Sequence, residues 1–183
     1  MDLETILLNK DKFIISRVKK NCYKMVFGME NNNIILSKVL DFNLLNLIYQ
    51  LNPDVYEKVD IEHLNDHEIV ATILLKHLFE DLGQPQRFSF MHMHKIIEHN
   101  KIIFKTHTIK NDRPTNIPDG CQLFDIQETI NIFDIITPHK VEFTFNIVFT
   151  PSMNIPAFFE KVISEILYKI FKRVKLFIEN IRV

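Results

Sequence analysis

The sequence predicts an α+β protein, a curved antiparallel sheet of about nine strands wrapped around a long C-terminal amphipathic helix. Three observations carry that expectation. Val141, Phe143, Phe145, Ile147 and Phe149 alternate with Lys140, Glu142, Thr144 and Asn146, the period of a strand with one buried and one wet face. Apolar residues then recur at helical spacing, unbroken, over 156–182. Before both, short Ile- and Val-rich segments are divided by polar turns.

Taken in order, segments 12–18, 22–28 and 33–40 are separated by Lys19-Lys20-Asn21 and Glu30-Asn31-Asn32-Asn33, so a three-stranded meander is expected. Asp41 then precedes Phe42-Asn43-Leu44-Leu45-Asn46-Leu47-Ile48, a short helix that ends at Asn52-Pro53 because the residue before proline is pushed out of the α region. Strand-like segments follow at 55–64, 67–78, 87–97, 101–109, 121–136 and 140–150. The second of these reads two ways. Asp66 would cap a helix ended by Gly83, with Ile69, Val70, Ile73, Leu74, His77 and Leu78 as its stripe, whereas Ile69, Ile73 and Leu75 also make a strand face. Residues 110–120, with Pro114, Pro118 and Asp119-Gly120, read as a long surface loop. Pro156 suits the first turn of the last helix, whose amides lack intrahelical partners. At 1.5 Å per residue that helix is roughly 40 Å long. Its apolar face runs through Phe159, Ile163, Ile166 and Ile170 to Ile181, opposite Lys161, Glu165, Lys169, Lys172 and Arg173.

The 183 residues, 46% hydrophobic and 25% charged, suit a single domain over 1–183 with a real core. A net charge of -1 supplies no global field for nucleic acid, which is not an expected partner. Cys22 and Cys121 form no CxxC pair, so a reducing compartment is expected. The acidic start and the lack of an apolar run of ~18–20 residues predict a soluble, cytoplasmic protein. Few glycines, no tryptophan and many Ile, Asn, Lys and Phe residues point to a genome of low GC content, such as a protist or a large DNA virus, with the host cytoplasm as location if viral.

Catalytic signatures are thin. No GxSxG, GxGxxG or Walker loop occurs, and no cofactor is expected. His92 and His94 share a strand face, and a two-residue turn would set His107 opposite His92, whereas a three-residue turn would send it to the other face. Two or three imidazoles on one face would suit zinc; solvated or hydrogen-bonded histidines are the plainer reading, and no metal is assigned. Glu128 interrupts Phe124, Ile126, Ile130 and Ile132. Facing inward it would be a polar anchor or base; a local twist would turn it to water instead.

Several stretches resemble the START domain, the lipid-transfer fold related to the steroidogenic acute regulatory protein, in the helix-grip superfamily. Gln86-Arg87-Phe88-Ser89-Phe90 is similar to that family's Arg-Asp-Phe strand start, though the acidic residue is missing here. Lys105-Thr106-His107-Thr108-Ile109 with Arg113-Pro114 resembles the strand and proline loop that follow. Residues 141–149 and then Ile155-Pro156-Ala157-Phe158-Phe159 resemble the last strand running into the lid helix. The order of elements agrees as well and favours a strand over 67–78.

The resemblance implies a START-like helix-grip fold whose sheet and last helix enclose a tunnel for a lipid or other hydrophobic small molecule, bound or transferred without turnover. Phe143, Phe145, Ile147, Phe159, Ile163, Ile166 and Ile170 would line it, with Phe90, His92 and Glu128 as further candidates; His92 falls near a buried basic position of several lipid-binding members. A chain of about fourteen carbons would gain on the order of 10 kcal/mol at ~0.8 kcal/mol per methylene, before ordering costs. Asp81, Leu82 and Gly83 sit in a loop suited to a mobile gate, or to an ordinary hairpin loop. Lys169, Lys172 and Arg173 would touch an anionic membrane transiently, or form a solvated helix flank. The same spacing equally describes a filled core, and the fold would then serve as a structural or protein-interaction module, a viral one if the source is a virus. A third reading is an aromatase/cyclase-like enzyme with a polar tunnel residue. Oligomeric state is left open.

Overall fold

The structure, a computed structural model, describes residues 4–110, 112–153 and 155–182. The strands are β1 (Thr5–Lys10), β2 (Phe13–Lys19), β3 (Cys22–Glu30), β4 (Tyr56–Asn65), β5 (Glu68–Leu75), β6 (Arg87–Glu98), β7 (Lys101–Thr108), β8 (Gln122–Leu123), β9 (Ile126–Thr137) and β10 (Lys140–Phe149). Helix α1 spans Asn43–Gln50 and α2 spans Ala157–Asn180. The strands join in the order β1-β2-β3-β10-β9-β7-β6-β5-β4, antiparallel throughout, with the two-residue β8 laid parallel to β6.

Local chemistry accounts for most of this. Asp11 and Lys12, the two residues between β1 and β2, both have positive φ (51° and 66°), the conformation that matches a tight hairpin to the strand twist. The Asp41 carboxylate accepts the Asn43 amide at 2.8 Å and opens α1. Segment 67–78 is a strand over Glu68–Leu75, held by ladders to β4 and β6 that a helix would leave unmade. The outer strand β4 carries Glu57, Lys58, Asp60 and Glu62 exposed, which discourages edge pairing.

Two expectations are corrected. The meander is displaced by one strand: β1 supplies the first, and 33–40 forms a short 3₁₀ turn at Leu36–Lys38. The edge of β3 that a third consecutive strand would need is taken by β10, paired from Lys140↔Glu30 to Val148↔Cys22. Residues 31–36 instead hydrogen-bond to the β9–β10 turn, through Asn31 to the His139 carbonyl (2.9 Å) and Leu36 to the Pro138 carbonyl (2.8 Å). Leu36 and Leu40, four apart, both drop into the core. The expected strand 121–136 divides into β8 and β9, with Phe124 and Asp125 between them.

Helix α2 lies on the inner sheet face and is fastened along its length. Near its start Glu160, buried, accepts from Arg17 (2.9 Å) and the Tyr23 hydroxyl (2.7 Å). Mid-helix, Asp11 accepts from Lys172 at 2.6 Å and from the Tyr168 hydroxyl. Arg173 reaches Asn52 (2.9 Å) and Asp54 (3.0 Å). At the end the Asn31 amide donates to the Ile178 and Ile181 carbonyls at 2.6 and 3.0 Å, satisfying groups that a helix terminus leaves open.

Candidate functional site

The inner sheet face is set by β10. Phe143 stands opposite Phe27 and Phe133, Phe145 opposite Met25 and Asn131, and Ile147 opposite Tyr23 and Thr129. The ladder continues into β7, where Ile102, Phe104 and Thr106 face Phe133, Asn131 and Thr129. Helix α2 lowers Phe171 onto this wall, with ring centroids 5.4 Å from Phe143, 5.9 Å from Phe27 and 6.0 Å from Phe145. Between the wall, α1 (Leu44, Leu45, Ile48) and α2 (Phe171, Val174) a cavity of about 40 Å³ remains. That is room for a few waters, well short of the roughly 300–1,000 Å³ of a small-molecule site.

Almost all of its lining is apolar, with two polar side chains. Asp41 lies at one side, its oxygens engaged by Asn43. Asn131 is set among Phe104, Phe133 and Phe145, and its Oδ1 is buried with no hydrogen-bond partner among the described residues. One step along β7 on the same face, the Thr106 hydroxyl is buried and unpartnered in the same way. Buried polar atoms of this kind are uncommon in folded proteins.

The other predicted residues scatter. Phe143, Phe145 and Ile147 are on the inner face, with Phe143 at the cavity. Ile170 is buried, while Phe159, Ile163 and Ile166 are half-buried along α2 and lie away from the cavity, whose α2 wall is Phe171 and Val174. Phe90 and His92, placed inward from the sequence, lie on the outer face. The unbroken β5–β6 register puts Met91 and Met93 in line with inner Ala71 and Ile69, and therefore turns Phe88, Phe90 and His92 away. Phe90 packs on a satellite cluster of Leu74, Phe88, Ile117 and Cys121. His92 faces His107, with ring centroids 5.1 Å apart, and Glu68 at 3.7 Å. The two-residue turn is thus the one adopted. His94 is exposed opposite Lys105, and among the described residues no group of three or more His, Cys, Asp or Glu side chains could hold a metal ion. Glu128 is exposed opposite Val148.

The proposed gate is a 3₁₀ turn at Glu80–Leu82 ended by Gly83 in the left-handed region (φ 66°). Leu82 is 57% exposed, and Phe79, just before the turn, meets Phe159 edge-on at 5.1 Å. Of the basic trio, Lys169 is exposed, whereas Lys172 and Arg173 are engaged by Asp11 and Asp54. Those contacts hold both carboxyls below the usual carboxylate range, through the Lys172 and Arg173 hydrogen bonds first, and raise the two cations in turn. Burial, then the Glu160 hydrogen bond, pushes the Tyr23 hydroxyl far up.

No protein-family model and no curated protein matches the sequence. Solved structures do. The human StarD13 (DLC2) lipid transfer and protein localization domain superposes with a TM-score of 0.70 at 10% identity, over 96% of this chain and 88% of that one. Human STARD10 gives 0.68 at 12% identity, over 94% and 71%. The di-domain ARO/CYC BexL from the BE-7585A biosynthetic pathway gives 0.52 at 9% identity, over 90% and 52%. The chain has the START-like helix-grip fold: an antiparallel sheet closed by a C-terminal helix.

Proposed function

We propose that this protein binds a lipid or other hydrophobic small molecule between the inner sheet face and its two helices, and carries it without chemical change. The observation that supports this most directly is the cavity at the centre of the grip, walled by Phe27, Phe104, Phe133, Phe143 and Phe171. Apolar surface of that kind gains from any apolar guest. The cavity volume requires that an acyl-sized ligand displace α1 or α2 outward. Phe159, half-buried against Phe79, and Ile163 and Ile166, half-buried further along α2, are the surface such a movement would bring against the guest. His92 and Glu128 face away from this space, which favours carriage over an aromatase/cyclase-like reaction.

Lys169, Lys172 and Arg173 provide a link to membranes. An anionic surface offers each basic residue about 1 kcal/mol, comparable to the ~0–1 kcal/mol of an exposed ion pair. Phosphates can therefore exchange with Asp11 and Asp54, and membrane contact and release of α2 become one event.

The small cavity also favours a second reading, a structural or protein-interaction module with a filled core. Native mass spectrometry after incubation with palmitate, cholesterol or phosphatidylcholine separates the two. A stoichiometric adduct supports carriage; the ligand-free mass alone with every probe overturns it in favour of the filled module.

A further inference from the structure

We infer that the outer face of the sheet docks a second copy of this chain, face to face, about a two-fold axis that runs across the strands along a row of apolar side chains. The surface lies on the side of the sheet opposite the cavity, and its pairing is independent of what the cavity holds.

The ladders draw the row. Ile96 on β6 pairs with Ile103 on β7, Ile103 with Ile132 on β9, and Ile132 with Thr144 on β10. Thr144 pairs in turn with Val26 on β3, and Val26 with Ile14 on β2. Because Phe143 and Phe145 on either side of Thr144 point inward, Thr144 and its lateral partners point outward. Ile14 is 43% exposed and the other five are half-buried. None of the six joins the apolar clusters formed by the described residues, and both helices lie on the opposite face. The wet face of an antiparallel sheet ordinarily alternates to polar residues. A continuous apolar band rimmed by charge marks a contact surface instead.

The charges beside the band select its occupant. On one flank the next outward row is Glu98, Lys101, Asp134 and Glu142. Lys101 is engaged by Asp134 at 2.9 Å, which leaves that flank negative through Glu98 and Glu142. On the other flank the row is His94, Lys105, Ile130, Asn146 and Lys24, positive through Lys105 and Lys24. Among the described residues none of these four charges has an ion-pair partner. A two-fold axis along the band exchanges the flanks, so the negative row of each copy meets the positive row of the other. Glu142 then lies over Asn146 of the second copy and one strand from its Lys24, and Glu98 lies over His94 and one strand from Lys105. Packed sheets stand about 10 Å apart, within reach of Glu and Lys side chains. An axis along the strands would instead set like charges against each other, which is unfavourable. The surface is therefore complementary to itself in one orientation. At ~4.8 Å per strand and ~6.8 Å per row, six strands and three rows cover roughly 600 Å² on each copy, at the lower end for a specific interface. Sheet twist draws the outermost strands of two such faces apart, so the dimer is a reversible one.

Sedimentation velocity of the full chain from about 1 to 200 μM tests this. The expected result is a mass that rises from 21.8 kDa toward twice that value with concentration. Ile132→Lys sets two like charges together at the axis and should leave a monomer throughout, and Thr144→Arg reads the same effect if Ile132→Lys does not fold. Glu142→Lys or Lys24→Glu alone should weaken the dimer about tenfold or more, since each reverses two symmetry-related contacts. The two reversals combined should restore association to the wild-type level, a rescue that a merely structural role would not give. A wild type that stays monomeric over the whole range overturns the inference, whether the band then meets a different protein or only reflects the β propensity of its residues. A dimer that Ile132→Lys and Thr144→Arg leave intact overturns it too, because another surface then joins the copies. Failure of the combined reversal to restore what the single ones weaken overturns the two-fold arrangement.

Discussion

Two side chains of α2 join it to the sheet, and their substitution has different consequences. Phe171 touches Phe27, Phe143 and Phe145 and forms part of the cavity wall. Phe171→Ala should cost about 3 kcal/mol in urea denaturation, the lower end for a core phenylalanine because the ring is only partly buried. It should also increase uptake of a hydrophobic fluorescent probe, because the lost ring joins the existing cavity. A variant equally destabilised but without added uptake would show that the walls collapse on the space. Glu160 acts through polarity instead. Its carboxylate is 6% exposed and takes hydrogen bonds from Arg17 and Tyr23. Glu160→Ala leaves both donors unpaired and should cost about 1.5–3 kcal/mol, with Glu160→Gln milder because it still accepts from the Tyr23 hydroxyl. A loss no greater for Ala than for Gln would contradict that account.

At the scale of elements, α2 has buried fastenings near both ends and exposed ion pairs in its middle. The Asn31 clamp on the Ile178 and Ile181 carbonyls is buried, so Asn31→Ala should fray the last turn and speed amide exchange there while leaving the first turns unaffected. The middle fastenings, Asp11 with Lys172 and Asp54 with Arg173, are exposed ion pairs and screened by solvent. The double change Asp11→Asn with Asp54→Asn should barely move the unfolding midpoint and yet accelerate ligand exchange with anionic vesicles. Unchanged exchange kinetics would separate α2 release from the route by which a guest enters. The other end is held by the buried Glu160, with Phe79 packed edge-on against Phe159 beside it, and Gly83 in the 76–85 loop takes the left-handed backbone that suits glycine.

For the whole molecule, the titrating groups bracket a plateau of stability. Asp11, Asp54 and Asp125 are held low by their cationic hydrogen-bond partners. Their contribution is fully present above the ordinary carboxylate range and is lost as pH falls through it, below about 4. Tyr23, Tyr49 and Tyr56 are pushed up, chiefly by burial. Their contribution is present below the ordinary tyrosine value and is lost above about 10, where the unfolded chain ionises and the folded one resists. Urea midpoints across pH should therefore be level from about 5 to 9 and fall on both sides. A midpoint that rises on acidification below 4 would refute the carboxylate assignment.

What could be read from the residues alone was whatever local pattern controls. The alternation of β10 identified Phe143, Phe145 and Ile147 as one face, and the unbroken stripe of the last segment gave α2, because both periodicities are properties of a single strand or helix. The START-like order of elements was legible for the same reason, and it placed a strand at Glu68–Leu75 where local pattern was ambiguous. Faces that depend on pairing were not legible. The turn at Pro138 and His139 pairs Thr137 with Lys140, and continued without interruption it would bring Ile132 against Phe145 and turn Glu128 inward. A bulge at Ile136 shifts the register by one, so that Asn131 and Phe133 face the helix while Glu128 and Ile132 face out. Asn131 thus lay hidden in the sequence, although its place between Thr129 and Phe133 was a weak signal. The position of 33–40 was likewise settled by a distant competitor, since β10 claims the edge of β3. The inward or outward sense of Phe90 and His92 follows only from the ladder to β5. Sequence determined the elements, their order and their individual amphipathicity, because those are set by neighbours in the chain. Tertiary structure decided which residues meet in the cavity, because one extra residue in a strand reverses every side chain beyond it.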